Sequence, residues 1–140
     1  MIVYTGGTFD LLHSNHIHLL EYARVLAGKN GLVIVGVNTD EELATRGKDP
    51  IVPFQERLLL VRSIKYVDMA VPQYNQDYES ICSNLNVDII LVGDDWKGKF
   101  DNLKSKGIQV FYTPRGEGVS TTSRKQEVFN KLLSQRAELD

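Results

Sequence analysis

Two runs of this chain are apolar without interruption, Val33-Ile34-Val35 and Ile89-Ile90-Leu91-Val92. A strand with one wet face alternates apolar and polar residues, whereas a continuous β-branched run belongs to a strand covered on both faces. β-rich runs recur at 2–5, 32–37, 68–71, 88–92 and 108–112. Helix-period segments separate them at 14–27, 54–64, 76–85 and 99–105, and a last one at 122–136 closes the chain. This alternation specifies an α/β fold: a Rossmann-like, doubly wound parallel sheet of about five strands with helices on both faces. The 140 residues suit a single domain, 1–140, with no internal repeat or linker.

In such sheets ligands gather at the carboxyl ends of the strands, near the point where strand order reverses. The segments that follow the expected strand ends are 5–16, 38–53, 72–75, 93–98 and 113–121, and they are the richest in Gly, Asp, Thr and charge. Composition narrows the ligand. A net charge of -2 argues against a duplex nucleic-acid partner, which calls for a basic face. No apolar run approaches the roughly 18 residues of a membrane span, so a soluble cytoplasmic protein without a membrane partner is expected. The lone Cys82 has no disulfide partner and shares an apolar pattern with Ile81 and Leu85, which suits packing.

The first of these segments carries the densest chemistry: Thr5-Gly6-Gly7-Thr8-Phe9-Asp10, then His13 and His16 as a helix begins. A strand that feeds glycines and then a helix start presents backbone N–H groups and a positive helix end to phosphate. The glycines also suit a plain turn needing positive φ. Histidines three apart share one helix face. They can donate hydrogen bonds to a reacting phosphoryl group, or with Asp10 hold a zinc ion. His18 points off that face.

Arg46 and Lys48 lie in the long 38–53 loop, where they either form a solvated turn or neutralise phosphates. Arg57 and Lys65, on or just beyond the 54–64 helix, either contact ligand or decorate an exposed face. Gly93-Asp94-Asp95-Trp96 follows a buried strand, and its acids suit ribose hydroxyls, an amine or a metal. Trp96 either stacks on a base or caps the core. Ser120, Thr121 and Thr122 are good N-caps for the last helix, and with Arg115 they form a second candidate phosphate site.

These blocks together resemble the nucleotidyltransferase α/β phosphodiesterase superfamily, within it the cytidylyltransferases, and most closely the glycerol-3-phosphate cytidylyltransferases. The resemblance is carried by residues 7–16, Glu56-Arg57, Tyr66-Val67-Asp68, Gly93 to Asp101 and Arg115 to Thr122. It implies that CTP and a small phosphorylated alcohol give a CDP-alcohol and pyrophosphate, by direct attack at the α-phosphorus. His13, His16, Lys48 and Arg115 would be catalytic. Thr8, Phe9, Asp10, His13, His16, Asp94, Arg115, Ser120 and Thr121 would bind nucleotide. Arg46, Lys48, Arg57, Lys65 and Asp68 would bind the acceptor or organise its site. The resemblance further implies Mg²⁺ accompanying CTP with no dedicated protein metal site, a homodimer, and a place in cell-surface polymer synthesis. Adenylyl transfer and non-catalytic nucleotide binding are the alternative readings.

The chain departs from the family pattern in four places. Asn15 replaces the glycine before the second histidine, Lys65 replaces an arginine, Gly116 a threonine, and Arg46 a lysine. These leave the reaction class better specified than the acceptor.

Overall fold

A computed structural model describes residues 1–114 and 120–139. Five parallel strands form one sheet in the order β3-β2-β1-β4-β5. They are β1 Ile2–Gly7, β2 Leu32–Asn38, β3 Met69–Gln73, β4 Ile89–Gly93 and β5 Gln109–Thr113. The helices are α1 Ser14–Ala27, α2 Asp40–Thr45, α3 Phe54–Arg62, α4 Tyr78–Leu85 and α5 Thr121–Leu139.

The uninterrupted apolar runs do what their pattern requires. Val33 and Val35 of β2 face a core built with Leu20, Ala23 and Ala27 of α1 and Val61 of α3. Ile34 of β2 and Ile90 and Val92 of β4 face the opposite core, with Tyr78 and Cys82 of α4 and Leu103. Cys82 is buried, and burial pushes its thiol up to about 11, so packing is its role. Strand order reverses between β1 and β4, which puts the switch point at the carboxyl end of β1.

Two expectations change. The segment expected as a helix at 99–105 is a 3₁₀ stretch, Asp101–Lys106, ended by Gly107 at φ 82°. The long 38–53 loop contains α2. Thr39 caps it by accepting from the Glu42 N–H at 3.1 Å, and Asp40, Glu41 and Glu42 fill its first turn, where the helix dipole favours anions. That helix is specified by its start signal and has too few turns to show apolar periodicity.

Candidate functional site

A cavity of about 590 Å³ opens over the switch point. Its floor is Thr5 to Phe9 at the end of β1. The start of α1 adds His13, Asn15 and His16, and the start of α5 adds Ser120, Thr121, Thr122 and Lys125. One wall is Val92, Gly93, Asp95, Trp96 and Thr113, from the ends of β4 and β5. The other is Asn38, Leu43, Arg46, Lys48, Asp49, Gln76 and Tyr78, from the ends of β2 and β3.

The loop between β1 and α1 is held in an uncommon shape. Phe9 and Leu11 both take left-handed backbone, at φ 54° and 49°. For side chains of this bulk that costs on the order of 1–3 kcal/mol each and persists only when the surroundings over-determine it. Asp10, between them and 3 % exposed, supplies the constraint. Its carboxylate accepts the N–H groups of Ile51 and Val52, each at 2.8 Å, and its carbonyl accepts the Thr121 hydroxyl at 2.7 Å. The Lys125 ammonium stands 3.6 Å from the same carboxylate. Asp10 is therefore a latch joining three chain segments, and it also lines the cavity floor beside Phe9.

The glycines of this loop are explained by neither expectation alone. Gly6 and Gly7 end β1 without positive φ. A side chain on Gly6 would collide with the ends of Gln73 and Tyr78. Gln73 Oε1 there accepts the Tyr4 hydroxyl at 2.6 Å.

The imidazoles of His13 and His16 are stacked, centroids 3.8 Å apart, and Phe9 leans on His16 at 5.4 Å. His16 Nδ1 accepts the backbone N–H of His13 at 3.2 Å, which satisfies one of the open donors of the helix start. A neutral ring with Nδ1 accepting carries its proton on Nε2, so His16 is a donor there. Burial, then the neighbouring His13, push its pKa down to about 4. His13 is lowered as well, by burial and then by Arg124. At neutral pH the site holds two neutral imidazoles. His13, His16 and Asp10 do not gather into a metal-ligating group among the described residues.

The other expected residues divide. Arg46 and Lys48 line the wall at the end of β2, with Arg46 bound bidentately to the buried Glu42 at 2.7 and 2.8 Å. Ser120 and Thr121 line the start of α5, and Thr8 and Phe9 the floor. Asp95 lines the wall at β4, and Asp94, exposed like it, is not among the lining residues. Arg115 lies outside the described residues.

Of its two readings, Arg57 takes the second: it organises the site rather than contacting the ligand. It is fully buried and gives hydrogen bonds to the carbonyls of Val52, Thr8 and Asn38 at 2.8, 2.7 and 2.8 Å, and to Asp40 at 2.7 Å. Lys65 and Asp68 are corrected as acceptor contacts. They precede β3, at the amino edge of the sheet, away from the cavity. The Asp68 carboxylate there holds Arg24 and the Val33 N–H, each at 2.7 Å, and Lys65 lies over the Tyr66 ring. Burial and strand end are not written in a residue's type, so sequence alone could not separate these from Arg46 and Lys48.

Lys125 escaped the sequence reading. Its signal was its spacing: four residues after Thr121, it shares the helix face that lines the cavity. Three buried side-chain polar atoms lack a partner among the described residues, Thr5 Oγ1, His13 Nδ1 and Asn38 Oδ1. All belong to residues lining this cavity.

A family model described as cytidylyltransferase-like matches residues 4–133. The chain is 42 % identical over 128 residues to the glycerol-3-phosphate cytidylyltransferase of Bacillus subtilis, covering 90 % of this chain and 95 % of that one. It is 39 % identical over 131 residues to the enzyme of the same name from Staphylococcus aureus, covering 92 % and 96 %. Among solved structures, a lipopolysaccharide core biosynthesis protein from Thermoplasma volcanium superposes with a TM-score of 0.69 at 32 % identity, over 85 % of this chain and 98 % of that one.

Proposed function

Because this chain belongs to the cytidylyltransferase-like family, we propose that it transfers the CMP group of CTP to a small phosphorylated alcohol, glycerol-3-phosphate or a similar polyol phosphate. It is an enzyme of the nucleotidyltransferase class. The observation that carries the reading is the stacked pair of neutral imidazoles at the start of α1, above the floor of a cavity of about 590 Å³, within the range of small-molecule sites.

In the proposed reaction an oxygen of the acceptor phosphate attacks the α-phosphorus of CTP. The bond from that phosphorus to the bridging oxygen breaks, and pyrophosphate leaves with the electron pair. His16, through Nε2–H, and His13 donate to the α-phosphate oxygens as charge develops on them. The base lies against Trp96 and Asp95, and the β- and γ-phosphates against Ser120, Thr121, Lys125 and Arg115. The acceptor phosphate meets Lys48 and Arg46. Alignment plus charge neutralisation supplies most of the acceleration in reactions of this type.

Mg²⁺ belongs to the proposal as an ion carried by the nucleotide phosphates, whose charge it neutralises. The donor set supports that form: Asp10 is committed to backbone amides and Glu42 to Arg46, leaving no protein cage among the described residues. A homodimer is also proposed, because Val128, Phe129, Leu132 and Leu133 form an apolar stripe along α5, each at least half exposed, that a second copy can cover. No described helix is long and apolar enough to cross a membrane, which fits the proposed place in the cytoplasm, supplying an activated alcohol to cell-surface polymer synthesis.

The test is pyrophosphate release with Mg²⁺, CTP and ATP in parallel, against glycerol, ribitol, ethanolamine, choline and sugar phosphates. Acceptor-dependent release with CTP and a polyol phosphate is expected. Release with ATP alone moves the protein to adenylyl transfer. Binding of CTP without release across the panel makes it a nucleotide-binding regulator.

A further inference from the structure

The proposed function leaves open what reads the acceptor beyond its phosphate, and the following rests on that function. Asn38 ends β2 on the cavity wall that carries Arg46 and Lys48. It is 4 % exposed, and its side-chain oxygen has no partner. An unpaired buried carbonyl is a standing cost to the fold, and native proteins keep few of them.

The polar side chains around it are engaged with other groups. In register beside it on β3, Gln73 accepts the Tyr4 hydroxyl and gives its amide to the Asn75 carbonyl at 3.1 Å. Gln76 gives its amide to Glu42 at 3.1 Å, and Glu42 is held by Arg46. Arg57 holds the Asn38 backbone carbonyl, which fixes the main chain and leaves the side chain its soft terminal torsion.

We propose that Asn38 determines acceptor specificity: its side-chain oxygen accepts a hydrogen bond from a hydroxyl on the acceptor's carbon chain, so the site prefers polyol phosphates to amino-alcohol phosphates. The wall's charge favours a neutral tail. Arg46 and the buried Glu42 form a bidentate pair of no net charge, so no uncompensated buried carboxylate on this wall attracts an ammonium group. Lys48 and Asp49, opposite in sign and both exposed on this wall, are screened by water and salt. A site built to pair with a hydroxyl discriminates strongly against a ligand lacking it, because the buried group is then left unpaired.

The experiment measures KM for CTP, glycerol-3-phosphate and phosphoethanolamine, with melting temperature, for wild type, Asn38→Leu and Asn38→Asp. Asn38→Leu is expected to raise KM for glycerol-3-phosphate about tenfold or more while KM for CTP stays within about twofold. Its melting temperature should hold or rise, since an unpaired polar atom has gone; a purely structural asparagine would lower it. Asn38→Asp puts a carboxylate in the same volume, and should move the ratio of kcat/KM toward phosphoethanolamine by about tenfold. Unchanged acceptor KM in both variants overturns the assignment of Asn38 and leaves the proposed function standing. So does an equal rise for CTP and acceptor. A wild type that turns over no acceptor overturns the proposed function and this assignment together.

Discussion

Arg57 and His16 flank the same loop and use their polar atoms in opposite ways. Four of the five N–H donors of the Arg57 guanidinium are taken by protein, three by backbone carbonyls and one by a carboxylate. His16 spends Nδ1 on the backbone and keeps Nε2 for something else, beside a His13 whose buried Nδ1 has no partner. The difference teaches how to tell scaffold from site when both are nitrogen donors beside one loop. A group whose donors are spent on protein holds the fold, and a partly buried one with a donor to spare awaits a ligand.

The sharpest way to break this comparison is to remove the scaffold member. Arg57→Ala leaves three buried carbonyls and Asp40 without their donor, and should cost about 3–5 kcal/mol of unfolding free energy in urea. A loss below about 1 kcal/mol would show that the hub is dispensable. His16→Ala should do the reverse. It is expected to lower kcat by roughly 10²–10³ while the far-ultraviolet spectrum and urea midpoint change little. Near-normal turnover would remove His16 from the site.

Acid sharpens the same contrast. Both histidines are held below the ordinary value of 6.5, His16 at about 4. Between those pH values the unfolded chain binds more protons than the native one, so stability rises with pH through the window. The contribution is fully present above pH 6.5 and is lost as pH falls toward 4. Urea midpoints from pH 7 to pH 4 should fall less steeply for His16→Phe than for wild type. Equal slopes would place the His16 pKa near its ordinary value.

Two smaller effects concern the latch. Asp10→Ala frees the Ile51 and Val52 amides and should cost about 1.5–3 kcal/mol, read as faster hydrogen exchange at those two amides. Protection unchanged there would put the constraint elsewhere. Lys125→Met should leave stability within about 1 kcal/mol, because its partner contact is long and half exposed, yet raise KM for CTP about fivefold. An unaltered KM would confine Lys125 to its contact with Asp10.

The sheet and its order of elements were legible because doubly buried strands leave a run that no amphipathic element imitates. The histidine pair, Ser120 and Thr121 were legible because chemistry and spacing coincide at a helix start. Arg57, Lys65 and Asp68 were not, since their roles depend on depth and on which end of a strand they meet. Asp10 was half legible: its place in the motif is evident, but its amide partners are some forty residues away in the chain. Asn38 gave no signal, because an asparagine after a strand is ordinary until its oxygen is found alone.

The hydrogen bond from the His13 amide to His16 has a consequence for how independently the ring is oriented. It spans one helical turn and needs no partner from the sheet. The side of the imidazole that carries the proton is thus set by residues 13–16 of the helix start rather than by the walls of the cavity. The walls can therefore vary with the substrate they hold while the donor at the start of α1 stays the same.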